Sequence, residues 1–332
     1  MSSTLSGLRR RGLTATQLKL FAVVTMFIDH LTFTFLERTY DAATGYVTLY
    51  TSDTLYWLDR IGRCIGRQAF PIFAFFIVEG FWHTRSRARY LGRLTLFAVI
   101  SQLPFHLMCY TGPVGSTRTV GLSVYATLAL GLAAIWILDV LFMRHLPPCR
   151  LRTLAGQNNV SPAGSSSGGT GSTHGGQEGR SAAQASGPQA KVSPAELALR
   201  GIAAIAAVAG ICAAAVYLNT DYDYIGVIAI VLFYLLRGNR RAAVMLVWVW
   251  ITWGSSLEFF ALPGLLLLTL YNGQRGGRAE RTDSAEAGSA ASRGAADGTS
   301  AHGSRAGQYA FYLFYPVHMT LLWALRVLIC GY

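Results

Sequence analysis

The sequence predicts an all-α fold: a polytopic helical bundle integral to a membrane, with about nine transmembrane helices and a cytoplasmic N-terminus. Three observations carry this. Apolar residues make up 52% of the 332 positions and charged residues only 13%, about half the charged share of an ordinary soluble domain. Mean hydropathy is +0.37 despite two long polar tracts. Several apolar runs reach the ~20 residues that a helix needs to cross ~30 Å of hydrocarbon. A soluble enzyme, a nucleic-acid-binding domain or a secreted disulfide scaffold fits such a chain poorly. The formal charge of +12 reads as basic loops facing anionic lipid, not as a contact with nucleic acid.

In chain order, the expected spans are 16–36, 66–82, 91–110, 120–143, 196–218, 224–236, 242–254, 256–272 and 309–330. The second, sixth and seventh are short for a full crossing and would extend into neighbouring amphipathic turns. Arg9, Arg10 and Arg11 before the first run resemble a signal peptide. Asp29 and His30 within that run, and the lack of a small-residue cleavage site, make it a retained first span. Residues 153–193 and 276–307 are rich in Gly, Ser and Ala and are expected as flexible linkers. The expected organisation is therefore helices 1–4 in 1–152, a linker at 153–193, helices 5–8 in 194–275, a linker at 276–307 and helix 9 in 308–332.

Charge sets the expected orientation. With the N-terminus inside, 22 of the 28 Lys and Arg residues fall on the cytoplasmic side, as the positive-inside rule requires. The expected location is a multi-pass position in the plasma membrane, the inner one in a bacterium. The five cysteines have no C-x-x-C spacing and read as small buried hydrophobes.

An ionisable group inside a span costs ~2.5–3.5 kcal/mol even on the insertion scale, so each is a functional candidate. Asp29 and His30 lie late in the first span. Adjacent helix positions do not face each other, so each requires a partner on another helix. His30 has two readings, a general base that titrates near neutrality or half of a structural pair. Arg60, Arg63 and Arg67 follow at i, i+3 and i+7, ahead of Pro71, with Glu79 inside the next apolar run and His83 one turn later. Such a stripe suits carboxylates or phosphates, which the guanidinium fork binds bidentately; headgroup binding or a salt bridge to Asp29 is the competing reading. Gln102, His106, Asp139, the NTDYDY loop at 219–224 and Glu258 are weaker signals. YNGQRG at 271–276 marks a turn, and FYPVH at 314–318 puts His318 just past Pro316, where a proline frees backbone groups to line a cavity. His318 also reads as a buried structural histidine. No Walker A, G-x-G-x-x-G, G-x-S-x-G or H-E-x-x-H motif is present. The spacing of His30, His83 and His318 recommends no metal.

Taken together, LKLFAVVTMFIDH, RIGRCIGRQAFPIFAFFIVEGFWHTRSRARYLGRLTLFAVISQLPF and YNGQRG…YLFYPVH resemble the TraX family. The resemblance covers most of the apolar chain, in order. It implies a multi-span acetyltransferase that takes acetyl groups from cytoplasmic acetyl-CoA; in the family's namesake the acceptor is the N-terminus of pilin, in conjugation. It carries the catalytic role to His30 and sets Arg63, Arg67, Glu79 and His318 on motif positions.

On this basis the expected reaction is acetyl transfer to an amine or hydroxyl acceptor: a protein N-terminus, a glycan or a lipid. His30 would be the base, with Asp29 or Glu79 fixing its tautomer. Arg63 or Arg67 would stabilise the oxyanion or bind the acceptor, alongside Glu79 and His318. Arg85 and Arg275 would meet the phosphates of acetyl-CoA. The rival expectation is a non-enzymatic transporter or a conjugation and assembly factor. Internal repeats, common in transporters, are not evident.

Overall fold

The computed structural model describes residues 12–37, 39–41, 46–48, 53–109, 121–145, 193–274 and 300–330. Among these, ten α-helices follow one another: α1 Ala15–Thr32, α2 Asp53–Gly66, α3 Ala69–His83, α4 Arg87–Cys109, α5 Val124–Leu141, α6 Pro194–Tyr217, α7 Asp223–Leu235, α8 Arg240–Gly254, α9 Leu262–Thr269 and α10 Ser300–Cys330. A π-helical turn, Phe33–Glu37, continues α1, and a small antiparallel pair joins Thr39–Asp41 to Tyr46–Thr48.

Local sequence explains where the helices begin. Thr14 and Gln17 form a reciprocal capping box at the start of α1, satisfying donors that the first turn leaves free. Ser193 caps α6 with Pro194 at the first helical position. Asn239 caps α8 through the amide of Ala242.

Among the described residues, six stretches are long and apolar enough to cross a membrane: Ala15–Leu36, Asp53–His83, Arg87–Cys109, Val124–His145, Pro194–Tyr217 and Tyr309–Ile329. The protein is thus an all-α, multi-pass membrane protein. The other three expected spans are shorter, as α7 with 13 residues, α8 with 15 and the apolar stretch Ser256–Thr269. At 1.5 Å per residue, α7 reaches only about 20 Å. The second span starts thirteen residues earlier than the expected 66, at Asp53. The arginines that make this stretch look extramembranous are instead folded into the bundle. The last helix begins at Ser300, inside the tract expected as linker. Otherwise the linkers lie outside the described residues.

At the centre is α5, which packs between α4, α6 and α7. Leu132, Ala134 and Ile135 on it and Val227, Ala229 and Ile230 on α7 are essentially inaccessible. Because lipid is as apolar as these side chains, their gain is close packing and not release from water. Leu199, Ile202 and Ile205 on α6, Val99 and Leu103 on α4 and Leu321 and Leu328 on α10 are exposed, forming the apolar exterior that hydrocarbon requires. Gly62 and Gly66 bring α2 against α1: a Cβ at the first would overlap Thr32, and at the second Asp29. Their G-x-x-x-G spacing is a known device for close helix approach.

Candidate functional site

Asp29 and His30 leave α1 in different directions, as 100° per residue demands. Asp29 turns to α2, where Arg63 reaches its Oδ2 at 2.9 Å and Arg67 its Oδ1 at 3.2 Å. Arg67 also donates to Glu258 Oε1 at 3.1 Å. One guanidinium therefore joins α1 to the 3-10 turn Ser256–Ala261. Glu258 is buried, and its Oε2 has no hydrogen-bond partner among the described residues. Arg63 lies over the ring of Phe33, 5.2 Å from its centroid. Arg67 sits in the short break between α2 and α3, and its side chain reaches both Asp29 and Glu258. Asp221, in the turn between α6 and α7, acts electrostatically on Arg67, Asp29 and Arg63.

His30 turns to α10. Its Nδ1 lies 2.6 Å from Nε2 of His318, whose own Nδ1 lies 2.7 Å from the carbonyl oxygen of Phe314. A carbonyl only accepts, so His318 carries its proton on Nδ1. With both rings neutral, His318 Nε2 accepts from His30 Nδ1–H, and the lone pair of His30 is left on Nε2. Packing holds the pair. The two rings are within 2° of coplanar, Phe314 stacks on His318 at 4.6 Å, and Tyr315 meets both imidazoles edge-on at 5.8 Å.

Proline chemistry shapes the same stretch of α10. Pro316 has no N–H for the carbonyl of Tyr312 one turn earlier. The Tyr125 hydroxyl donates to that carbonyl at 3.2 Å and ties α10 to the start of α5. On the other side of His30, Thr34 in the π turn donates to its carbonyl at 2.6 Å; such turns recur at functional sites.

Five of the eight residues singled out in the sequence thus meet in one cluster: Asp29, His30, Arg63, Arg67 and His318. Glu79 does not join them. It lies about 18 Å along the helix from Arg67 and is paired with His83 on its own helix at 3.7 Å. Arg85 is exposed at that same end. Arg275 lies outside the described residues. The tautomer of His30 is set by His318, not by Asp29 or Glu79, because Asp29 is already shared between two guanidiniums. Glu258 and Tyr315 are participants that the sequence pattern does not assign. Glu258 carries a signal, a lone acid in an apolar run; Tyr315 carries none beyond adjacency to Pro316. Among the described residues no three His, Cys, Asp or Glu side chains gather as a metal site.

The family described as TraX protein matches residues 14–144. Over that stretch the chain is similar to the TraX family. The match includes Asp29, His30, Arg63, Arg67, Glu79 and Arg85, whereas Glu258 and His318 fall beyond it. A probable fimbrial assembly protein, FimC of serogroup H1 from Dichelobacter nodosus, is 39% identical over 92 residues. That alignment covers 28% of this chain and 31% of the relative, so the chain spans under a third of the relative's length. No solved structure matches the chain.

The ends of the TraX-like pattern also meet in space. Leu13 donates to Leu270 O at 2.9 Å, Ala15 to Gln274 O at 2.9 Å, and Asn272 to Leu13 O at 3.0 Å. The YNGQ turn, with Gly273 at φ +81°, docks on the entry to α1.

Proposed function

We propose that the chain is a TraX-type membrane acetyltransferase, moving acetyl from cytoplasmic acetyl-CoA to an amine or hydroxyl acceptor. The observation that carries this reading is the directed pair His318–His30, which leaves an unprotonated Nε2 beside a cluster of guanidiniums. His30 Nε2 accepts the proton of the acceptor's N–H or O–H as that heteroatom bonds to the thioester carbonyl carbon. Arg63 or Arg67 offers N–H groups to the developing oxyanion. His30 then returns the proton to the departing thiolate as the C–S bond breaks. Asp29 and Glu258 position the guanidiniums. Arg85 and Arg275 are the proposed contacts for the donor's phosphates. His318 remains within the proposed acceptor set, and the distance of Glu79 from the cluster removes Glu79 from it. The charge bias of the loops supports an orientation with the N-terminus inside, in the inner membrane of a bacterial cell.

The test is radiolabelled acetyl-CoA added to membranes that contain the wild-type chain or His30→Ala, followed by separation of labelled protein, glycan and lipid. Label with wild type alone is the expected result, and its fraction names the acceptor class. Full transfer by His30→Ala would refute the mechanism. A second reading, a non-catalytic assembly factor, draws on the similarity to a probable fimbrial assembly protein. It predicts that His30→Ala still supports fimbrial assembly.

A further inference from the structure

A second polar network lies at the opposite end of the bundle, about 21 Å along α3 from its start. Asp139 on α5 is buried, and three groups converge on it. Arg87 and the Nε of Arg144, the latter at 2.8 Å, reach its Oδ2, and the Tyr234 hydroxyl donates to Oδ1 at 2.9 Å. Tyr234 stacks on Trp82 with ring centroids 5.6 Å apart and planes within 7°. Arg237 lies over Trp82, 4.4 Å from its centroid. Arg87 lies over Phe81 at 4.2 Å.

The arrangement fixes three guanidiniums while leaving much of each one free. A guanidinium held by its face against an aromatic ring keeps its N–H edge available. Arg237 has no carboxylate partner among the described residues, and Arg144 uses only Nε. Among the described residues Arg87 uses one terminal nitrogen. Among the described residues these three cations have one carboxylate partner, Asp139, so two positive charges are left uncompensated there. Both Arg144 and Arg237 are exposed. None of these residues belongs to the His30 cluster.

We propose that this end of the bundle is a phosphoryl-anion site. Arg87 and Arg144 grip one set of phosphate oxygens across Asp139, and Arg237, stacked on Trp82, supplies the next fork. The two uncompensated charges match a phosphate dianion or a diphosphate, and the guanidinium fork matches its oxygens bidentately. Trp82, in contact with both Tyr234 and Arg237, is the support of the site. A soluble phosphate ester and a lipid headgroup present the same chemistry here. The site does not rest on acetyl transfer; if that reaction holds, this is the end at which the donor's phosphates bind.

The test uses the purified full chain in neutral detergent, titrated at low ionic strength with inorganic pyrophosphate and separately with coenzyme A. A parallel arm places the chain in phosphatidylcholine nanodiscs with or without phosphatidylglycerol and identifies retained lipid by native mass spectrometry. Binding is expected in at least one arm, weakened about tenfold or more by Arg237→Ala or Arg144→Ala, since each removes charge-assisted hydrogen bonds. Arg237→Lys keeps the charge but not the planar stack, and is expected to weaken binding as well. Arg200→Ala, at a residue already engaged by Glu196 and His145, is expected to leave it unchanged. Binding of pyrophosphate or coenzyme A alone identifies a soluble phosphate ester, and selective retention of phosphatidylglycerol identifies a headgroup. Absence of binding in every arm, or binding indifferent to both alanine variants with the melting temperature preserved, overturns the proposal. No acetyl group enters the assay, so failed acetyl transfer with intact binding would sink the transferase reading and leave the site standing.

Discussion

Replacing Arg67 with leucine removes the one residue that joins two carboxylates. Asp29 keeps Arg63 at 2.9 Å, but Glu258 loses the partner at 3.1 Å and already has an unbonded Oε2. The side chains of Arg67 and Glu258 are only 16% and 5% exposed, so the surface regime of about 0–1 kcal/mol per pair does not apply. Stranding one member of a buried pair costs about 3–5 kcal/mol, whereas replacing both by apolar groups is often neutral. Arg67→Leu is therefore expected to lose about 3–5 kcal/mol, and Arg67→Leu/Glu258→Leu to recover most of it. The assay is reversible unfolding in mixed micelles, run as a double-mutant cycle. A double variant no more stable than Arg67→Leu would refute this account, because the stranded carboxylate would then not be the source of the loss.

Further outcomes follow from the same contacts. His30→Ala is expected to cut labelled acetyl transfer by about 10²–10⁴-fold; His318→Ala, which removes the orienting partner but leaves the base itself in place, should cost less, and equal losses would argue that the two rings share the chemistry. Gly66→Ala would drive a methyl group into Asp29, so about 1–3 kcal/mol of stability and much of the activity should go together; unchanged melting and turnover would contradict the close α1–α2 contact. Glu79→Gln removes a partly exposed pair with His83 and should shift stability by less than about 1 kcal/mol, read in the same unfolding assay.

Part of the site is legible in the sequence. Asp29 and His30 stand out because hydrocarbon penalises ionisable groups, and their adjacency already implies partners on two different helices. The identity of those partners is not legible. Arg63 and Arg67 precede the apolar run at which a hydropathy reading starts the second span, yet they lie inside the bundle because Asp29 compensates them. Glu79 looks equivalent to them in sequence but sits at the far end, since twelve residues of helix separate it from Arg67. The G-x-x-x-G at 62–66 is a signal present in the sequence whose meaning, the contact with Thr32 and Asp29, depends on the facing helix.

Composition and the length of apolar runs alone determined that this is an all-α membrane protein, because an apolar solvent forces each segment to satisfy its own backbone. The cost of charge in hydrocarbon likewise singled out the candidate ionisable residues. Tertiary structure decided which of those residues meet. The pairing of His30 with His318 and of Arg67 with Glu258 joins positions 288 and 191 residues apart. Helix faces, crossing and depth fix such contacts, and a one-dimensional pattern carries the periodicity of each helix without the azimuth of its neighbour.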